Sequence, residues 1–251
     1  MMQPLLSPAH RGLLSQFAFS NVVVAFDYDG TLAPIVKNPS RARMRPTTRA
    51  LFQQVAERYP CVVISGRSQK EVLKLLGEIP VLAVAGNHGL EPWQGESPYE
   101  DVVAGWKPHL TKALAGIAGV KIEDKRFSLA IHYRAARAKQ RAVAAIHAAA
   151  EALADVRLVG GKQVVNLIPL GAPNKGTALE RLRKRLHCDT AIYVGDDVTD
   201  EDVFALEGPG LLGVRVGAHR SSQAAYYLRD QRQIDALLRA LLEARPSRRA
   251  A

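Results

Sequence analysis

The sequence predicts an α/β protein. A parallel, helix-covered sheet is built from the two ends of the chain, and a smaller α+β unit is inserted between them. Three observations carry this reading. Short β-branched runs alternate with helix-spaced segments up to about residue 90. Between residues 91 and 170 the pattern changes to alternating strands and longer helices, and from residue 171 the first pattern resumes. Strands that alternate with helices favour a parallel sheet, because each crossover helix covers one sheet face.

The elements follow in order. Val22–Phe26 is apolar throughout, as a strand buried on both faces must be, and Gly30 ends it. Leu51, Phe52 and Val55 share a helical face over residues 46–59, with Pro60 as the stop. Cys61–Ile64 reads as a second buried strand and runs into Ser65-Gly66-Arg67. Ser68 can cap a helix that carries Val72, Leu75 and Leu76, and Gly77 would end it. A third strand over 81–85 leads into Gly86-Asn87-His88-Gly89.

The insert then reads helix, hairpin, helix, hairpin. Residues 99–117 are helical, weakened by Gly105 and Pro108. Residues 120–124 and 127–133 alternate as a hairpin with one exposed face. Residues 135–154 form an alanine-rich helix, and 156–159 pairs with 163–168 through a turn at Gly160-Gly161. Pro169, Gly171 and Pro173 mark the exit. Lys175 opens a further helix through Leu179, Leu182 and Leu186, followed by strands over 191–194 and 211–216. An amphipathic helix over 234–242 closes the chain. The expected division is a core of residues 1–90 and 171–251 with an insert of 91–170. Such an insert would work as a lid if it lay over the carboxyl ends of the core strands.

Composition narrows the function classes. The chain has 251 residues, 47% of them hydrophobic, which suits a globular protein with a sizeable core. No apolar run is long enough to span a bilayer. The first twenty residues lack a sustained apolar segment with a cleavage site, so no secretory leader is expected. Two cysteines make no disulfide framework, and a reducing cytoplasm is the expected compartment. The net charge of +10 raises nucleic-acid binding as a possibility, but the excess is spread over 41–49, 181–185 and 245–249. No aromatic residues interleave it as a stacking platform needs, and attraction of small anionic esters is the simpler reading. Nothing points to an obligate protein partner.

The chemistry is concentrated where strands end. Asp27-Tyr28-Asp29-Gly30-Thr31 follows the first strand, Ser65 the second, and Gly195-Asp196-Asp197-Val198-Thr199-Asp200 a later one, while Lys175 starts a helix. Each signal alone has a plain alternative: an Asp-rich turn, an ordinary strand-to-helix turn, a surface lysine. Together they converge, because parallel strands carry their carboxyl ends to one sheet edge. A carboxylate that attacks phosphorus, a second that shuttles a proton and a hard cation between them make a phosphoryl-transfer site. Ser65 and Lys175 would hold the phosphoryl oxygens and Mg²⁺ would neutralise developing charge.

Asp-Tyr-Asp-Gly-Thr, Ser-Gly-Arg, Asn-Lys-Gly and Gly-Asp-Asp-Val-Thr-Asp-Glu-Asp resemble the four motifs of the haloacid dehalogenase-like phosphatases. Gly86-Asn87-His88-Gly89-Leu90-Glu91, and Glu123-Asp124-Lys125 with His132-Tyr133-Arg134, narrow the resemblance to the trehalose-6-phosphate phosphatase family. It implies a Rossmann-like core with an inserted α+β cap, and Mg²⁺-dependent hydrolysis of trehalose 6-phosphate, a step of trehalose synthesis, through an aspartyl phosphate. By position it implies Asp27 as nucleophile, Asp29 as general acid/base, and Thr31, Ser65-Gly66 and Lys175 as phosphate ligands. Mg²⁺ would sit on Asp27, the Asp29 carbonyl and Asp196, with Asp197 and Asp200 behind them and either able to reach it.

Sugar contacts would come from the insert, from Lys125, His132, Arg134, Lys162 and Asn166; these residues could equally be cross-strand partners on a solvated face. One departure from the family pattern is visible. The family commonly has Glu and a basic residue where this chain has Asn166 and Ile168. A neutral amide in place of a carboxylate is a weaker acceptor for sugar hydroxyls. That keeps sucrose 6-phosphate and glycosyl-glycerate phosphates open as alternative substrates. A non-catalytic regulator on the same scaffold would be expected to lack a motif carboxylate, and none is missing.

Overall fold

The computed structural model describes residues 2–36, 38, 41–92, 97–161 and 163–246. It divides into two compact units, Met1–Glu91 with Asn174–Ala251, and Pro92–Pro173.

In the first unit, seven strands among the described residues form one sheet in which every pairing is parallel. The strands are β1 (Gln3–Pro4), β2 (Val22–Phe26), β3 (Cys61–Ile64), β4 (Ala83–Ala85), β9 (Thr190–Gly195), β10 (Leu211–Val216) and β11 (Tyr226–Leu228), in the order β1-β11-β10-β9-β2-β3-β4. The second unit holds β5–β8. Burial explains the apolar run of β2. Val22, Val24 and Phe26 join the cluster containing Phe52, Val55, Val72, Leu237 and Leu241. Val23 and Ala25 face the other way, into a cluster with Leu179, Leu182 and Phe204. One side is therefore covered by α1 (Arg11–Phe19), α2 (Pro46–Ala56), α3 (Gln69–Leu76) and α8 (Ile234–Ala244), the other by α6 (Lys175–Arg185) and α7 (Glu201–Phe204). Full burial of each valine or leucine contributes about 1.5–3 kcal/mol, so β2 is anchored from both faces.

From β2 the chain builds outward through β3 and β4, then returns to β9 on the other side of β2. The order reverses there, and such a switch point opens a crevice beyond the carboxyl ends of its two strands. Asp27 follows β2 and Asp196 follows β9.

The α/β class read from the sequence is the architecture found, with local differences. Helix α2 stops at Ala56, since residues 57–59 turn back on it through the Tyr59 N–H to the Val55 carbonyl (2.9 Å). Strand β4 begins at Ala83, two residues late, and Leu82 just before it is largely exposed. The periodicity gave no sign of α1, β1 or β11.

The second unit is a four-stranded antiparallel sheet, β5 (Lys121–Asp124), β6 (Leu129–His132), β8 (Val164–Pro169) and β7 (Val156–Gly161), in that order. Helices α4 (Pro98–Leu114) and α5 (Lys139–Glu151) pack on one face through Trp106, Leu110 and Ile146 against Leu129, Ile131, Val165 and Leu167. Helix α4 runs through Pro108. The second hairpin corrects one expectation. Gly160 and Gly161 pair with Val165 and Val164 inside the ladder, and the turn lies beyond them, where Gln163 takes φ +64°.

Candidate active site

Asp27 is buried at the end of β2, and its N–H donates to the Val194 carbonyl (2.8 Å), which locks it to β9. Its Oδ1 accepts from the Lys175 ammonium at 3.0 Å. The same ammonium donates to Asp200 Oδ1 at 2.7 Å, and Tyr193 Oη donates to that oxygen at 2.6 Å. Asp200 Oδ2 accepts from the Asp197 N–H at 2.7 Å. Carboxylate oxygens of Asp27, Asp196 and Asp200 lie within 4.8 Å of one another, the one such acidic group among the described residues.

The local fold makes room for this crowding. Gly30 has φ +89°, and a Cβ there would lie 2.2–2.4 Å from the Asp196 carboxylate. A Cβ on Gly195 would lie 2.3 Å from the Asp200 carboxyl carbon. The glycines of the first and fourth motifs are thus spaces for carboxylates. Lys175 is the first residue of α6, and Asn174 caps that helix by accepting from the Thr177 N–H.

Asp27 and Asp200 share one buried ammonium with Asp196 close by, and proton affinities reflect it. Burial raises the Asp27 carboxyl well above the usual range; Lys175 opposes this, and Asp200, Asp196 and Asp29 reinforce it. Burial alone would lower the Lys175 ammonium, but Asp200 and Asp27 outweigh it and hold it above the ordinary lysine value. Burial and then Asp200 push the Tyr193 phenol well up, so it stays a donor. An all-oxygen, net-negative site suits a hard divalent cation such as Mg²⁺.

The other expected residues fall in two places. Asp29 lies beyond Asp27, and its carboxylate is gripped by Arg67 through Nε (2.5 Å) and an Nη (2.7 Å). The carboxylates of Asp29 and Asp197 stand outside the three-carboxylate group. Thr31 is fully buried and its Oγ1 has no hydrogen-bond partner among the described residues, which suits a hydroxyl that binds an anionic ligand. Ser65 is buried after β3, with its N–H on the Ala85 carbonyl (2.8 Å) and its Oγ accepting from the Arg67 N–H (3.2 Å). Gly66 packs beneath the His88 ring, whose Cε1 would be 2.6 Å from an added Cβ.

In the second unit, His132 Nε2 and Glu123 Oε2 are 2.6 Å apart. The register aligns Glu123, Ala130 and Asn166 across the sheet, on the face away from α4 and α5. Asn166 Nδ2 donates to the Val159 carbonyl at 3.4 Å. Lys125 and Arg134 follow β5 and β6, both half-buried. Lys162 lies outside the described residues.

The trehalose-phosphatase family profile matches residues 25–231, from the end of β2 past β11. The chain belongs to this family. It is 37% identical over 213 residues to the trehalose-phosphate phosphatase of Mycobacterium tuberculosis strain H37Rv, covering 79% of this chain and 54% of that protein. It therefore spans about half the length of that mycobacterial relative. It is 32% identical over 257 residues to probable trehalose-phosphate phosphatase 3 of Oryza sativa subsp. japonica, covering 88% and 69%. The fold is that of the C. albicans trehalose-6-phosphate phosphatase C-terminal domain, with TM-score 0.81, 24% identity, and coverage of 97% of this chain and 98% of that one.

Three side chains that touch these acidic residues were not among the sequence-predicted site residues: Arg67, Tyr193 and Arg215. Arg67 belongs to the Ser-Gly-Arg motif and had a signal. Arg215 is a charge in the otherwise apolar strand β10, also a signal. Tyr193 reads as one more strand aromatic, and only its contact with Asp200 marks it.

Proposed function

We propose that the chain hydrolyses trehalose 6-phosphate to trehalose and phosphate through an aspartyl phosphate on Asp27. The observation that carries this reading is the buried group of Asp27, Lys175 and Asp200 with Asp196 beside it, at the sheet's switch point, in a trehalose-phosphatase chain. Asp27 attacks phosphorus and the bond from phosphorus to the sugar oxygen breaks, while Asp29 gives its proton to that oxygen. Asp29 then takes a proton from water, the water oxygen attacks phosphorus, and the bond to Asp27 breaks, releasing phosphate. To act as an acid, Asp29 must exchange one of its two Arg67 contacts for the leaving oxygen. Thr31, Ser65-Gly66 and Lys175 hold the phosphoryl oxygens. Asp27, Asp196 and the Asp29 carbonyl would hold Mg²⁺, with Asp197 and Asp200 behind them; the ion when bound would offset charge on the phosphoryl group. Asp200 has three donors already and serves chiefly to hold Lys175. The polar face with Glu123, His132 and Asn166, together with Lys125, Lys162 and Arg134, is assigned to the sugar hydroxyls.

The test is phosphate release by purified protein from a panel of sugar phosphates with Mg²⁺ and with EDTA. Trehalose 6-phosphate should be the best substrate. Preference for sucrose 6-phosphate or a glycosyl-glycerate phosphate would move the substrate to the reading that Asn166 favours. No release from any would refute the enzyme. Asp27→Asn should remain folded and lose several orders of magnitude in turnover; near-normal turnover would refute the aspartyl phosphate.

A further inference from the structure

Arg215 stands near the carboxyl end of β10, in register with Gly195 of β9, and is only 8% exposed. Its guanidinium reaches across the acidic loop. One Nη donates to the Asp196 carbonyl at 2.7 Å. The other donates to the Asp197 carbonyl at 3.2 Å and to Glu201 Oε1 at 2.6 Å. Glu201 opens α7, and its second oxygen accepts from the Gln223 N–H at 2.9 Å. One side chain therefore ties both ends of the segment from Asp196 to Glu201.

A buried arginine is costly to desolvate and needs a paired carboxylate. Glu201 alone would satisfy that need. The two carbonyl contacts go further, because they fix the peptide planes that follow Asp196 and Asp197. Fixing the plane after Asp196, with its N–H side held by β9, limits the swing of its Cα–Cβ bond and so narrows the directions open to the carboxylate that stands with Asp27 and Asp200. We infer that Arg215 is the positioning residue for the acidic loop and sets the affinity of the site for its divalent cation. This rests on the metal reading proposed above. Mg²⁺ tolerates little departure from its preferred ligand geometry, and loss of a residue that orients a ligand costs about 10–100-fold in metal affinity.

Charge and positioning act with opposite signs here. A cation close to the site disfavours Mg²⁺ through space, so loss of the Arg215 charge alone would tighten binding. Loss of its carbonyl contacts would weaken binding. Arg215→Lys keeps the charge and cannot reproduce the fork, so it reads positioning alone.

The experiment measures Mg²⁺ binding to the full chain by isothermal titration calorimetry, after EDTA treatment and desalting, beside the thermal midpoint of each protein. The proteins are wild type, R215K, and Tyr59→Phe as a stability control that loses the Tyr59 hydroxyl bond to the Leu241 carbonyl (2.7 Å) near the amino end of β3. R215K should raise the Mg²⁺ dissociation constant about tenfold or more, and Y59F should leave it within about twofold whatever its midpoint. R215K binding within about twofold of wild type, with the midpoint lowered, would mean that Arg215 only braces the fold, and would overturn the inference. Should R215K fail to fold, Arg215→Gln takes its place: weaker Mg²⁺ binding supports positioning, and unchanged or tighter binding overturns it. A wild-type chain that takes up no Mg²⁺ overturns the metal reading, and this inference with it. Wild-type uptake with unaltered R215K uptake overturns the role of Arg215 alone.

Discussion

Replacing Lys175 by methionine tests the charge balance of the site. The ammonium lies 3.0 Å from Asp27 and 2.7 Å from Asp200, with the side chain 2% exposed. At an effective dielectric constant of about 20 each contact carries roughly 5–6 kcal/mol of Coulomb attraction, most of it offset by the cost of burying the ions. Removing one partner of a buried pair typically costs about 3–5 kcal/mol, a large share of the roughly 5–15 kcal/mol that holds a domain folded. Asp27, Asp196 and Asp200 would then face one another with no ammonium, and the easiest relief is a proton. The Asp27 carboxyl is raised well above its ordinary value even with Lys175 present, by burial first and by its acidic neighbours. In the window between the ordinary and the raised value, the native variant binds a proton that the unfolded chain lacks. Its stability must therefore fall as pH rises, by up to about 1.4 kcal/mol per pH unit for each proton. Urea unfolding followed by far-UV circular dichroism at pH 5.5 and 8, in EDTA and in Mg²⁺, checks this. The expected loss is several kcal/mol at pH 8 in EDTA, less at pH 5.5, and less again in Mg²⁺. A loss below about 1 kcal/mol at pH 8 in EDTA, or an equal loss at both pH values, would show that Lys175 does not balance the cluster.

Gly30→Ala should cost about 1–2 kcal/mol for its left-handed backbone. It should also push the Asp196 carboxylate aside, so calorimetric Mg²⁺ affinity should fall about tenfold; wild-type affinity would contradict the space assigned to Gly30. Glu123 is held below its ordinary value chiefly by the hydrogen bond with His132, burial opposing and Lys125 helping. Its contribution to stability is present above the ordinary glutamate value of about 4.3 and is lost as pH falls through the lowered one. The stability gap between wild type and Glu123→Gln should close on acidification. Both side chains are more than a third exposed, so the gap should stay within about 1 kcal/mol, and a gap that widened toward low pH would refute the assignment.

The sequence disclosed those parts of the molecule in which neighbours along the chain share one environment. Strand β2 was legible because both its faces are covered, so all five residues are apolar. Asp27, Ser65 and Asp196 were legible because each directly follows a strand of the same parallel sheet. Strands β1 and β11 were not, since strands of two and three residues leave too short a pattern to count. The misread hairpin has a physical cause. Gly160-Gly161 offers a turn at no steric cost, yet the register of β7 with β8 carries pairing through both glycines and puts the bend where Gln163 bears the positive φ. Cross-strand partners were beyond reach, because Arg215 meets Asp196 and Asp197 only through the register of β10 on β9.

The partners of the motif acids share one property. Tyr193, Arg215 and Arg67 each meet a motif residue through a polar tip: Tyr193 on Asp200, Arg215 on the Asp196 and Asp197 carbonyls, Arg67 on Asp29. The motif acids are crowded into a buried edge where their mutual repulsion disfavours the folded state, and Gly30 and Gly195 make that crowding sterically possible. Donors that fix the acids in place limit their freedom to relax apart. A cation bound there would meet carboxylates already oriented, and its binding would recover repulsion that the fold retains. The same reasoning makes the cation a stabiliser of the native chain, by about 2.7 kcal/mol at a hundredfold excess over its dissociation constant. The metal-free protein should be the less stable form in urea unfolding, and its deficit against the Mg²⁺-loaded chain should grow as pH rises through the raised Asp27 value.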